Sequence, residues 1–394
     1  MTDVLYLAWR YVLFHRYKTS ILVLSITLIA YLPIGLEVLV SQSAEELTAR
    51  AASTPLLIGA RGSALELVLN SLYFESASPT PMRYEQVERV AESGQASPIP
   101  LHARFRARGV PIVGTTLDYF DFRRLRVDSG RQMAVLGECV LGARAADELG
   151  AGPGGSVVSS PENVFDLAGV YPLKMRVAGV LAPTGGPDDG AVFVDLKTAW
   201  VIEGLGHGHQ NLASPAASAA VLERDGNRIV ANASVVEYTE IDASNLESFH
   251  FHGDRAGYPV TAVIAVPHDD KAAVILQGRY QSNDEPCQSV RPRRVMDDLL
   301  STIFRVRGYV VAAVVLVGLS TLATAALVFL LSLRLRQREI RTIVKIGGSR
   351  RRVAAVLASE VVIVLLFSLA LAGGLTLLTG WLGSAAMRAF IVSS

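Results

Sequence analysis

The sequence has little cysteine and little lysine, and it lacks several short catalytic and nucleotide-binding motifs. Two cysteines, Cys139 and Cys287, cannot build a disulfide framework. They could pair with each other or stay as free thiols, and the sequence leaves both readings open. Of the 37 basic residues five are lysines, a bias that fits genomic base composition better than a phosphate-binding surface. With a net charge of +1, no nucleic-acid partner is expected. There is no Gly-Lys pair, hence no GxxxxGK[ST] loop to cradle a nucleotide. GxSxG, HExxH and CxxC are missing too, so an enzyme is not expected, nor a cofactor belonging to this chain.

Charge is also missing from three long stretches. Thr19–Val40 holds no Lys or Arg and a single acid, Glu37. About 20 apolar residues cross a hydrocarbon core of roughly 30 Å, so this stretch qualifies as a span; it is too long for a typical signal-peptide core. Tyr309–Leu333 is free of charge, and the run from Val353 to about Gly380 is interrupted only by Glu360. Between the last two lies RLRQREIRTIVKIGGSRRR, residues 334–352, with eight basic residues against Glu339 alone. By the positive-inside rule that loop is cytoplasmic, as is the basic N-terminus. The expected order is a cytoplasmic N-terminus (1–18), helix 1 (19–40), an extracytoplasmic domain (41–307), helix 2 (308–333), the basic loop (334–352), helix 3 (353–380) and an external tail (381–394). The fold class is therefore an α-helical membrane protein with a large extracytoplasmic α/β domain inserted between helices 1 and 2. A fourth span is not excluded.

The middle region reads as mixed α/β. Short β-rich runs occur at 55–59, 110–116, 173–182 and 191–196. Helical spacing appears at 63–74, 83–92 and 138–149, and 204–217 reads as a loop rich in Gly, His, Ser and Ala. After Pro292 a helical pattern over 293–307 runs directly into helix 2, as a stalk would.

The basic loop contains Arg338-Glu339-Ile340-Arg341-Thr342-Ile343-Val344-Lys345-Ile346-Gly347-Gly348-Ser349-Arg350-Arg351. Together with one N-terminal span and an outer α/β domain, this resembles the FtsX/MacB-type ABC transporter permeases, the group that includes lipoprotein-releasing permeases. Glu138-Cys139-Val140-Leu141-Gly142, Asp147-Glu148-Leu149-Gly150, Met175-Arg176-Val177-Ala178-Gly179-Val180-Leu181 and Asp189 resemble that family's periplasmic core. The resemblance implies an inner-membrane permease working as a homodimer or heterodimer with a separate cytoplasmic ABC ATPase, which binds the ATP. It departs from the family in showing three spans where four are usual.

In the loop, Arg334, Arg338, Arg341 and Lys345 make one cationic stripe, while Ile340, Ile343, Val344 and Gly347 share another face. Such a helix can lie at anionic headgroups or enter a groove on a partner. The family resemblance implies that Arg338, Glu339, Ile340, Ile343, Val344, Gly347 and Gly348 couple to the ATPase; the plainer reading is a topological anchor. Two His-x-His pairs, His207/His209 and His250/His252, are candidate Zn²⁺ ligands: on a strand His250 and His252 would share one face, and Gly206 and Gly208 would let the other pair adapt its backbone, or both pairs lie in a solvated loop. Glu37 and Glu360 are acids inside apolar stretches, where a carboxylate usually meets another helix or a wet cavity. Besides the permease, two other functions fit: a membrane signalling or scaffold protein that regulates a cell-wall hydrolase through a periplasmic partner, and a zinc-handling component of an envelope uptake system.

Overall fold

A computed structural model describes residues 2–75, 78–160, 172–208, 221–225, 228–231, 239–282, 284–335, 337–345 and 349–393. The chain divides into one unit made of Met1–Leu47 with Asp298–Ser394 and another made of Thr48–Asp297.

The first unit is helical. Among the described residues three helices are long and apolar enough to cross a membrane, with candidate spans Arg16–Ser41, Pro292–Val328 and Arg351–Leu382. They lie on the longer helices Arg16–Ala52, Pro292–Leu335 and Arg350–Ser393. Pro292 takes the first helical position, where its missing N–H costs nothing. The first of these helices continues through Pro33. Small polar groups join the first and third: Thr27 Oγ1 donates to the Ser368 carbonyl at 3.2 Å, and the Tyr31 and Thr379 hydroxyls are 2.7 Å apart. Gly318 lets the second approach the first, since a Cβ there would meet Ile29 at 2.8 Å. A further helix, Thr2–Phe14, precedes these, and its Trp9 ring packs 5.9 Å from Phe367. Residues 381–393 continue the third long helix.

The second unit is built on a ten-stranded mixed sheet. Its order runs Cys287–Val290, Leu56–Ala60, Ala262–Pro267, Ala96–Ala107, Val110–Thr115, Val192–Asp195, Glu138–Leu141, Lys174–Leu181 and Val127–Gly130, with Ser156–Val158 also paired to Lys174–Leu181. Among the described strands of this sheet, Val110–Thr115 with Val192–Asp195 and Glu138–Leu141 with Lys174–Leu181 pair in parallel. In the first strand Leu57 pairs with Ile264 on one side and Val290 on the other. Leu56, Leu57 and Ile58 are buried, which explains a run of apolar residues without alternation. Among its described residues two apolar clusters stand out. Ile112, Leu141, Met175 and Val194 belong to one; Leu56, Val90, Trp200 and Val263 belong to the other.

The β-rich runs expected from the sequence form strands, and the helical patterns at 63–74 and 83–92 form Ala64–Tyr73 and Glu85–Glu92. Ser63 caps the former, accepting from the Glu66 N–H at 3.2 Å. The helix expected over 138–149 is corrected. Glu138–Leu141 is a strand buried in the sheet, and only Ala143–Leu149 is helical. Gly142 separates them because the chain passes tightly there: a Cβ would lie 2.2 Å from the Asp188 carbonyl oxygen. The loop expected over 204–217 is also corrected in part. Gly206–Gly208 is a strand paired with Phe249–Phe251, while residues 209–217 lie outside the described residues. The two cysteines are free and buried, Cys139 in one cluster and Cys287 in the other.

Candidate functional site

Between the second and third long helices, Gln337–Lys345 forms a short helix. Arg338, Arg341 and Lys345, spaced by three and four, are all exposed, whereas Ile340 is half-buried. Glu339, Ile343 and Val344 are on the same helix; Gly347 and Gly348 lie outside the described residues. Ser349 opens the next helix, its Oγ accepting from the Arg352 N–H at 3.2 Å. Arg350, Arg351 and Arg352 fill the first turn, with no acid among them. Cations at a helix N-terminus oppose the macrodipole by about 0.3–1 kcal/mol each.

The two acids in apolar stretches have different surroundings. Glu37 accepts from Arg307 at 2.8 Å, so its charge is matched. Glu360 is 7% exposed and lines a groove with Tyr11, His15, Lys18, Thr19 and Leu322.

In the second unit, residues of the motif around Glu138 converge to hold the sheet together. Glu138 is buried and accepts from Arg131, from Arg176 and from the Ala134 N–H. Asp189 accepts from the Thr184 N–H and hydroxyl, each at 2.8 Å, and from the Gly185 N–H at 2.7 Å, fixing the TGGPDDG turn. Gly179 allows the Arg131 carbonyl to come within 2.4 Å of where a Cβ would stand. No nucleophile–base pair is part of this set; its residues shape the backbone.

Next to that turn lies a cluster that the sequence reading did not pick out. Arg50, in the last turn of helix Arg16–Ala52, grips Asp188 with two hydrogen bonds of 2.6 and 2.9 Å and donates to the Tyr119 hydroxyl at 2.8 Å. Tyr119 in turn donates to Asp188 at 2.7 Å, and Arg123 donates to Ser53 and Thr54. Burial alone would raise the Asp188 carboxyl, but Arg50 beside it outweighs burial and holds it below the ordinary range.

The histidine pairs are rearranged relative to their order in the chain. His207 pairs across strands with His250, and His252 completes a triangle with them. His209 lies outside the described residues.

The family described as MacB-like periplasmic core domain matches residues 37–236, half of the chain. The chain belongs to the FtsX/MacB-type permease family. Among solved structures, the periplasmic region of MacB from Actinobacillus actinomycetemcomitans is 12% identical, with a TM-score of 0.34, covering 64% of this chain and 92% of its own. The extracellular domain of the noncanonic ABC-type transporter YknZ from Gram-positive bacteria is also 12% identical, with a TM-score of 0.31, covering 60% of this chain and 98% of its own. No curated protein matches.

Within this permease the Glu138 cluster predicts an acid-sensitive domain. Burial pushes the Glu138 carboxyl up, yet the hydrogen bonds from Arg131, the Ala134 amide and Arg176 prevail and hold it at about 2, against 4.5 ordinarily. A carboxyl depressed on folding contributes its full stability above its unfolded pKa and loses it as pH falls through the folded one. The Tm of the full chain in detergent should therefore fall between pH 4.5 and about 2. Glu138→Gln should start lower and flatten that slope; an unchanged slope would mean the cluster contributes nothing.

Proposed function

We propose that the chain is the permease subunit of an ABC transporter in the bacterial cytoplasmic membrane, non-catalytic itself, whose outer domain is moved by a separate cytoplasmic ATPase. The observation that carries this reading is the short helix Gln337–Lys345: an exposed cationic stripe and an apolar position on nine residues joining two long apolar helices. Helix-in-groove docking is a common recognition mode for such a face. No phosphate-binding loop occurs in the sequence, so ATP would be hydrolysed on the partner. Two copies of the permease, or this chain with a second permease, would then flank an ATPase pair. Closure of the ATPases would act on the outer domain to extract, export or release a substrate of the envelope.

Membrane orientation is the first test. Cysteines introduced at the exposed positions Asp121 and Asp270 should react with an impermeant maleimide in intact cells, and one at Lys345 only after permeabilisation. Background should be low, because burial pushes the native thiols up, Cys139 to about 12 and Cys287 to about 11. Protection at 121 and 270, or labelling at 345 in intact cells, would overturn the scheme.

A further inference from the structure

The described residues bring together three histidines from two separate parts of the sequence. Gly206–Gly208 and Phe249–Phe251 form a two-stranded antiparallel ribbon in which His207 stands directly opposite His250. Side chains alternate along a strand, so Phe249 and Phe251 point away from His250, and both pack against the apolar cluster around Leu141 and Met175. Glycine is required opposite them: a Cβ at Gly206 would stand 2.6 Å from the Phe251 ring, and one at Gly208 would stand 2.5 Å from Phe249. The ribbon therefore has an apolar face of Phe over Gly, and its other face carries imidazoles. His252, two residues beyond His250, falls on that same face. Its N–H reaches the Leu205 carbonyl at 3.3 Å, and its carbonyl accepts from Tyr258 at 2.8 Å.

The three rings form a nearly equilateral triangle, with centroids 4.8 Å apart for His207 and His250, 4.9 Å for His207 and His252, and 4.7 Å for His250 and His252. The candidate ligand nitrogens all lie within 4.8 Å of one another. An ion 2.0–2.1 Å from each nitrogen in tetrahedral geometry sets those nitrogens roughly 3.4 Å apart. Turning the imidazoles about their χ angles would bring the nitrogens closer. His250 Nδ1 sits 2.9 Å from the Ser248 carbonyl oxygen. A carbonyl can only accept, so Nδ1 is the donor in this contact, and in that tautomer Nε2 would be the ligating nitrogen. A backbone carbonyl holding the second ring nitrogen is the usual outer-shell partner of a metal-ligating histidine.

We propose that His207, His250 and His252 form a binding site for one borderline transition-metal cation, Zn²⁺ in the first instance. Three protein nitrogens leave a fourth position open, as in exchangeable rather than closed structural sites. His252 is exposed, so that position is reachable by water or by a donor atom brought from outside. Bound metal would cross-link the strand that follows helix Leu196–Ile202 to one more than 40 residues further on, a link that ribbon hydrogen bonds alone make over three residue pairs. The site does not depend on the ATPase-coupling reading.

The test is calorimetric titration of ZnCl₂ into the metal-stripped full chain in detergent, purified without a polyhistidine tag. The parent should bind one ion per chain. His252→Ala, at an exposed position where folding is not at stake, and His207→Ala should each weaken binding at least about 100-fold, since losing an outer-shell partner alone costs 10–100-fold. His268→Ala, an exposed histidine outside the triangle, should bind as the parent does. Co²⁺ should give the parent the intense visible bands of a four-coordinate nitrogen site, and His252→Ala should lack them. No zinc binding by the parent, or parental affinity in His252→Ala, would overturn the proposal. So would equal weakening by His268→Ala.

Discussion

Replacing Arg50 with Ala should lower the stability of the outer domain by about 3–5 kcal/mol, the range for removing one partner of a buried ion pair. Asp188, whose side chain is 4% exposed, would lose its hydrogen-bonded cation and keep only the more distant charge of Arg123. Tyr119, itself buried, could still donate, but one neutral hydrogen bond contributes only about 1 kcal/mol. For a domain of this size the loss corresponds to a fall in Tm on the order of 10 °C. The double change Arg50→Met with Asp188→Leu should be milder than Arg50→Ala, because no charge remains buried without a partner. Thermal melts of the full chain in detergent would show the ranking. If Arg50→Ala melts with the parent, the cluster is not what fixes the last turn of helix Arg16–Ala52.

The second large effect is expected in the basic loop. Ile340 is half-buried in the chain alone, and a docked ATPase would cover it further. Ile340→Asp would place an unpaired carboxylate in that contact at several kcal/mol. Since 1.4 kcal/mol is a factor of ten, the ATPase should be lost by roughly 100-fold or more in affinity. Arg334→Ala, at an exposed position, removes only about 1 kcal/mol of attraction to the inner leaflet and should leave the complex largely intact. Co-purification of the ATPase, with permease abundance checked in parallel, separates the two. Should Ile340→Asp keep its ATPase, the helix is an anchor and not a docking element.

The parts of the molecule legible in the sequence are those set by local pattern. Apolar stretches with little or no charge, the i, i+3, i+7 spacing of Arg338, Arg341 and Lys345, and the alternating or buried β runs each announce themselves within a short window. The segment 138–149 misled because a buried central strand is a continuous apolar run, and Cys139-Val140-Leu141 joined to Ala143–Leu149 imitates one helix. The signal that could have separated them was Gly142. His250 and His252 were readable as one face of a strand, but pairing with His207 is a register across distant segments, which periodicity cannot supply. Arg50 and Asp188 are 138 residues apart, and nothing local to either marks the other.

The place of Leu56–Ala60 in the sheet has a consequence for biosynthesis. Leu57 bonds to Ile264 and Val290, so this early strand has no partner until more than 200 further residues have left the ribosome. At 5–20 residues per second that wait is on the order of ten to fifty seconds. During it, Leu56, Leu57 and Ile58 present two open strand edges of high apolarity, the kind of segment on which chains aggregate. The strand therefore pairs late, after the strands between residues 96 and 195 have been made, and the joining of the two ends of the domain completes the sheet.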